Sequence, residues 1–232
     1  MSPDLPQLRE HAGVVVVRDD LLEGGTKRRV LRAVLASRPA QEFVYAATAQ
    51  GYGQLALALA ARDVGRRATI FIAGRARCHP LTQAAQAAGA TIHEVWQRPG
   101  FLPNVARQAA LYTAQQDGRA ELLPLGFNMP EFRAGLTALA QRLPVRPTEM
   151  WSVLGSGALL QSLQAAWPGA QAHGVQVGRI VECAGADIHI APEAFASKAQ
   201  MSPPFPSAPQ QDAKVWRFVQ ARKGALFWNV AG

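Results

Sequence analysis

The sequence predicts an α/β fold built on parallel sheet, and three observations carry that prediction. Short β-branched or aromatic runs alternate with alanine- and leucine-rich stretches of helical length along the 232 residues. The run Ala56-Leu57-Ala58-Leu59-Ala60-Ala61 has the small side chains of a helix laid closely on a sheet. Glycine-rich turns stand where strand-like segments give way to helices, the arrangement of βαβ units.

Taken in order, Val14 to Val17 is a β-branched strand, and after Gly24-Gly25 the stretch Lys27 to Ala36 is a helix with Val30, Leu31 and Leu35 on its apolar side. Glu42 to Thr48 is a strand, Tyr52 to Asp63 a helix, Ala68 to Ala73 a strand and Leu81 to Ala88 a helix. Thr91 to Val95 is a strand, Phe101 to Gln116 a helix and Glu121 to Leu125 a strand. Pro130 to Arg142 is a helix, Met150 to Leu154 a strand, Ala158 to Ala166 a helix and Ala172 to Val177 a strand. Ser202 to Pro209 is a proline- and serine-rich loop, Ala213 to Arg222 a helix and Ala225 to Val230 a terminal strand.

Composition narrows the class. Hydrophobic residues make up 49% of the chain and charged ones 17%, which favours a packed core over disorder. Cys78 and Cys183 have no partners at metal-ligand spacing, so neither a zinc site nor a disulfide framework is expected. No apolar run reaches membrane-spanning length and Met1-Ser2-Pro3-Asp4 is polar, so a soluble cytoplasmic protein is expected, with no membrane partner. The net charge of +8 comes largely from arginine. It suits either a polyanionic partner or arginine spent on solvated faces.

Three segments carry candidate chemistry. In Arg18-Asp19-Asp20-Leu21-Leu22-Glu23-Gly24-Gly25-Thr26-Lys27, a lysine follows a Gly-Gly turn at a helix start. The positive end of a helix dipole disfavours the ammonium form, and the neutral amine is what attacks a carbonyl. A surface charge is the plainer reading of Lys27. In Thr48-Ala49-Gln50-Gly51-Tyr52-Gly53, between strand and helix, helix N–H groups would suit a substrate carboxylate, or the glycines serve only a tight turn. In Leu154-Gly155-Ser156-Gly157-Ala158, glycines would let the backbone approach a phosphate and Ser156 would donate to it.

Together these segments resemble the fold-type II pyridoxal-phosphate (PLP) enzymes, the tryptophan synthase β-like superfamily, above all the aminocyclopropane-carboxylate deaminase and D-cysteine desulfhydrase branch. Arg18 to Arg29 is similar to that branch's Lys-Arg-Asp-Asp-Leu…Gly-Gly-Asn-Lys segment, whose lysine holds the cofactor, and the match falls on Lys27. Gly155-Ser156-Gly157-Ala158-Leu159 resembles the family's phosphate loop, and Ala49 to Ala61 its Ser-Gly-Asn-His-Gly-Gln helix. The resemblance implies two three-layer α/β lobes with parallel sheets, trimmed relative to the family. Residues 1–38 and 126–232 would form the large cofactor lobe and 39–125 the small one. It implies Lys27, Gly51, Gly155, Ser156, Gly157 and Ala158 as cofactor residues, Thr48, Gln50, Gly51 and Gly53 as substrate residues, and Lys27 and Tyr52 as catalytic ones. It implies PLP as cofactor, an amino-acid substrate and a homodimer.

Departures from the family pattern shape the expected reaction. Gly51 stands where the family has the asparagine at the PLP ring oxygen, and Tyr52 where it has a histidine. The terminal Thr-Gly-Gly, whose threonine faces the pyridine nitrogen, reads Val230-Ala231-Gly232. The expectation is a lyase acting at Cα or Cβ of an amino-acid group by decarboxylation, elimination or deamination. With the basic charge, the substrate is read as an amino acid attached to a modified base in DNA, as in phage DNA modification. Arg28, Arg29, Arg32, Arg66, Arg67, Arg75 and Arg77 are the candidate phosphate contacts. An ordinary small-molecule deaminase or desulfhydrase, and a non-catalytic binding module of the same fold, stay open beside it.

Overall fold

A computed structural model describes residues 5–96, 102–178 and 180–232. The polar N-terminus Met1 to Asp4 and Phe101, the expected start of one helix, lie outside these residues. The first half runs β1 (Gln7–His11), β2 (Val14–Arg18), α1 (Gly25–Ala36), β3 (Glu42–Ala46), α2 (Gly53–Asp63), β4 (Arg67–Ala73), α3 (Pro80–Ala87), β5 (Thr91–Val95), α4 (Leu102–Ala114) and β6 (Ala120–Leu123). The second runs α5 (Pro130–Gln141), β7 (Glu149–Leu154), α6 (Ala158–Ala166), β8 (Gln171–Gln176), β9 (Ala186–Ile190), α7 (Trp216–Val219) and β10 (Leu226–Asn229). The chain divides into two compact units, Met1–Thr26 with Asn128–Gly232, and Lys27–Phe127.

In the first unit six strands are ordered β1-β2-β10-β7-β8-β9, all parallel except β1, which runs antiparallel to β2. Every residue of β10 is buried, because both faces of this inner strand are covered. Phe227 joins Val14, Val16, Trp151, Val175, Trp216 and Val219 in one core. Trp228 reaches Thr26 through a buried hydrogen bond, its indole N–H donating to Oγ1 over 2.9 Å. The order reverses between β7 and β10: from β7 the chain moves outward through β8 and β9, then returns to the other flank of β7. Such a reversal leaves a crevice at the carboxyl ends of the two strands.

In the second unit four parallel strands are ordered β5-β4-β3-β6. Here the reversal falls between β3 and β6. Phe71, Val44 and Val95 pack on Val105 and Ala109 of α4, which covers one face. α2 is buried from Gly53 to Ala61, as its alanine-leucine repeat demands.

The structure corrects four expectations. β1 and β9 are strands although neither has the apolar run that marks a buried strand; as sheet edges, each pairs on one side only. The helix expected over Ala213 to Arg222 is instead a 3-10 turn, Asp212–Val215, followed by the single turn α7. The strand expected from Glu121 to Leu125 stops at Leu123, and Leu125–Phe127 is a 3-10 turn with Gly126 at φ 70°. The strand expected to reach Thr48 ends at Ala46, where a turn begins.

Candidate active site

Lys27 follows directly on a start to α1 that only glycine can make. Gly24 and Gly25 are left-handed, at φ 84° and 60°. A Cβ on Gly25 would lie 2.0 Å from the Val230 carbonyl oxygen and 3.1 Å from its carbon. The same oxygen accepts the Thr26 N–H at 3.2 Å, and Thr26 is 2% exposed. Backbone contact with Val230 and the indole of Trp228 therefore fix Gly25 and Thr26 against β10. Lys27, the next residue, is half-buried and opens the second unit.

The approach to this turn is braced by a closed polar network. Arg18, 4% exposed, grips Asp20 with Nε and Nη2, each at 2.7 Å. Asn229, fully buried at the end of β10, donates to Asp20 Oδ1 and to the Pro206 carbonyl, both at 2.8 Å. Its own Oδ1 accepts from Ser207 at 2.7 Å. Each polar atom of Asn229 is thus spent inside the protein.

Gly155-Ser156-Gly157 joins β7 to α6 at the reversal of the six-stranded sheet. Gly157, at φ 82°, is the residue before α6, and no side chain caps the helix in the manner of an N-cap. Ala158 N–H points at Ser156 Oγ over a long 3.4 Å, and the Ser156 and Gly157 N–H groups donate to no backbone carbonyl among the described residues. A Cβ on Gly155 would meet nothing within 4 Å. The loop therefore offers N–H donors, a helix N-terminus and open space beside a glycine. This donor set fits the phosphate of PLP.

Thr48 to Gly53 leaves β3 at the reversal of the four-stranded sheet. Gly51 N–H donates to the Thr48 carbonyl at 3.0 Å, and a Cβ on Gly51 would come within 2.7 Å of Thr48 Oγ1. Gln54, fully buried, donates to the Ala49 carbonyl at 2.8 Å and accepts from Thr82 at 2.9 Å, which turns the loop's carbonyls toward α2. Gln50 is half-buried within the turn; Tyr52, half-buried, is the residue before α2, and no side chain caps that helix either. Gly53 is pressed against Tyr45, whose hydroxyl would lie 2.8 Å from its Cβ. Tyr45 Oη accepts the Gly126 N–H at 3.1 Å, its ring stacks on Phe127, and burial pushes its phenol up to about 12.

Thr48, Gln50, Gly51, Tyr52 and Gly53 thus share one turn of the second unit, and Gly155, Ser156, Gly157 and Ala158 one turn of the first. Sequence reasoning missed the supports Thr26, Trp228, Asp20 and Asn229; an asparagine in the apolar run Leu226 to Val230 was the available signal. It also missed Lys214, which is fully buried. Lys214 Nζ donates to the Ala194 carbonyl at 2.9 Å, and burial lowers its affinity for the proton while Glu193 opposes this. Of the candidate phosphate contacts, Arg28 pairs with Asp63 at 2.8 Å, Arg32 reaches it at 3.5 Å, and Arg67 pairs with Glu42 at 3.0 Å. Arg66 donates to Gln41, and Arg29 is half-buried on α1. Arg75 and Arg77 are exposed. No helix among the described residues is long and apolar enough to cross a membrane.

No family model matches the sequence, and no curated protein matches it either. Solved structures do match. An aminocyclopropane-carboxylate deaminase homologue aligns over 94% of this chain and 84% of its own, with a TM-score of 0.75 and 14% identity. Diaminopropionate ammonia lyase from Escherichia coli aligns over 95% and 79%, with 0.66 and 14%. Serine racemase from Dictyostelium discoideum aligns over 99% and 92%, with 0.65 and 12%. These are fold-type II PLP enzymes, and this chain has their tryptophan synthase β-like fold. Its 232 residues are fewer than those of the matched chains.

Proposed function

We propose that this chain is a PLP-dependent lyase acting at Cα or Cβ of an amino-acid group, with Lys27 holding the cofactor. The observation that carries the reading is the Gly155-Ser156-Gly157 turn at a sheet reversal, with N–H donors unspent and Gly155 facing open space. When bound, PLP supplies an electron sink for bond cleavage at Cα. Gly155, Ser156, Gly157 and Ala158 bind its phosphate through backbone N–H groups and the Ser156 hydroxyl. Lys27 Nζ anchors the cofactor and then carries the proton at the substrate Cα. Thr48, Gln50, Gly51 and Gly53 orient the substrate carboxylate at the α2 N-terminus, and Gly51 leaves the ring oxygen without the family's asparagine. Tyr52 is the second proton carrier. Asn229 is fully engaged by Asp20, Pro206 and Ser207, so it offers nothing to the pyridine nitrogen. Among lyase reactions, that favours elimination over chemistry needing a protonated ring.

The test is binding of PLP to the purified protein, followed by borohydride reduction and peptide mapping. Absorbance above roughly 400 nm and a reduced adduct on Lys27, both absent in Lys27→Ala, are expected. An adduct on Lys214, or none at all, would overturn the assignment; the latter would leave a binding module with this fold.

A second reading concerns the substrate's carrier. Arg75 and Arg77 are exposed in the loop after β4, and Trp96, 58% exposed, follows β5 and lies across Gly74, where a Cβ would meet its ring at 2.5 Å. An exposed indole flanked by arginines suits a base and its phosphates, which favours an amino acid linked to DNA. Duplex or single-stranded DNA binding that weakens steeply with salt and with Arg75→Gln is expected. Turnover of free amino acids with no DNA binding would favour the small-molecule enzyme.

A further inference from the structure

Two polar side chains are buried where α2 packs on α3, in places that apolar ones would fill as well. The start of α3 is set by Pro80 and by His79, whose Nδ1 accepts the Leu81 N–H at 3.2 Å. This short helix turns Thr82 and Ala85 inward, both fully buried. From α2 comes Gln54, also fully buried and set at the head of a run of leucines and alanines. A primary amide in such a place must have both its ends paired. Thr82 Oγ1 donates to Gln54 Oε1 at 2.9 Å. Nε2 is thereby left to the turn after β3, where it donates to the Ala49 carbonyl at 2.8 Å and reaches the Thr48 carbonyl at 3.4 Å. Carbonyls accept only from the Nε2 end, so Oε1 needs a donor elsewhere, and the threonine hydroxyl supplies it.

The consequence lies on the far side of the same peptides. In a trans peptide the carbonyl of one residue and the N–H of the next point in opposite directions. Drawing the Thr48 and Ala49 carbonyls to Gln54 therefore turns the N–H groups of Ala49 and Gln50 away from it. The Thr48 carbonyl also accepts the Gly51 N–H at 3.0 Å, so rotating that peptide would break two hydrogen bonds. Ala49 is only 3% exposed, yet its N–H has no hydrogen-bond partner among the described residues. A covered backbone donor without an acceptor is costly, and a bound anion is one way to satisfy it.

We infer that Thr82 is a positioning residue for the substrate carboxylate. Acting through Gln54, it fixes the Ala49 N–H as a donor to that group, with the Gln50 N–H aimed the same way. The inference rests on the reading of Thr48 to Gly53 as the substrate turn. It adds to that turn a donor, Ala49, and a support that stands on a different helix. It also assigns the buried amide a role in selection: a substrate is held here by its carboxylate, whatever its side chain.

Acetate is the probe, titrated into the 15N-labelled full chain with and without PLP while the Ala49 amide resonance is followed. A saturable downfield shift of Ala49 is expected, with sodium chloride at equal ionic strength giving none. Thr82→Val keeps the shape and loses the hydroxyl, and should raise the acetate needed about tenfold. Thr82→Ser keeps the hydroxyl and should restore the wild-type response to within a few-fold. A loss that was merely structural would lower the urea midpoint in both variants alike and would not follow the hydroxyl. Should Thr82→Val fail to fold, Gln54→Met, which removes both ends of the amide at similar volume, gives the same loss. No shift at Ala49 in the wild type, or equal titrations in the wild type, Thr82→Val and Gln54→Met, would overturn the inference. An intact acetate response in a protein that takes up no PLP would support it and overturn the cofactor reading alone.

Discussion

Replacing Gly25 by alanine tests how the start of α1 is held. A Cβ in the left-handed region costs about 1–2 kcal/mol by itself, and Gly25 sits at φ 60°. The new carbon would also lie 2.0 Å from the Val230 oxygen, a backbone atom of an inner strand that has no rotamer by which to retreat. Either β10 or the Gly25-Thr26 turn must move by about an ångström. Overpacking of this kind costs about 1–3 kcal/mol. The Thr26 to Val230 and Trp228 to Thr26 hydrogen bonds stretch with it, at about 1 kcal/mol each. The total is about 4 kcal/mol, with these terms partly overlapping. Gly65→Ala is the control, because Gly65 has nearly the same φ, 66°, and nothing within 4 Å of its Cβ position. It should cost only about 1–2 kcal/mol, the left-handed strain alone. Urea unfolding followed by tryptophan fluorescence measures both. Equal losses in the two variants would show that the Val230 contact does not govern this turn.

Two further substitutions separate stability from binding. Gly155→Ala should leave unfolding within about 0.5 kcal/mol of wild type, because its Cβ meets nothing in the protein, yet weaken PLP binding at least tenfold; unchanged affinity would remove the loop from the phosphate site. Tyr45→Phe leaves the half-buried Gly126 N–H without its Tyr45 acceptor and should cost about 1 kcal/mol at pH 8. Because burial raises the Tyr45 phenol from 10.0 to about 12, the folded protein keeps a proton that the unfolded chain surrenders between those values. Stability from Tyr45 is therefore complete below pH 10 and lost as pH rises toward 12, by about 1.4 kcal/mol per unit. Urea midpoints of the two proteins should converge between pH 9 and 11; parallel curves would contradict a buried phenol.

The alternation of strands and helices was legible because β2, β3, β4, β7 and β8 are largely buried apolar runs set between glycine- and proline-bearing turns. β9 was not, since Ala186-Asp187-Ile188-His189-Ile190 is a strand through its pairing with β8, a relation that no local pattern carries. The segment at Ala213 misled for a related reason. Ala213, Val215, Trp216 and Val219 are buried at helical intervals, but the segment must also turn Asp212 and Lys214 inward to reach Val230 and Ala194, and one continuous helix does not do so. The glycines of the candidate site could be read as glycines, and Lys27 as a lysine oddly set at a helix start. Their setting at two sheet reversals depends on strand order, which is decided by contacts between β3 and β6 and between β7 and β10.

The middle position of β10 has a consequence for how the chain is made. The unit Lys27–Phe127 is continuous and has all four of its strands once residue 123 has emerged. The six-stranded sheet has to wait for residues 226–229, because the strand between β2 and β7 follows the other five in the chain. Until then β2 and β7 each present a parallel edge with nothing to fill it, the kind of surface that chaperones bind and aggregates recruit. Ribosome stalling or truncation a few residues short of β10 would therefore remove far more than its four residues, since it would leave two half-sheets with no strand to join them.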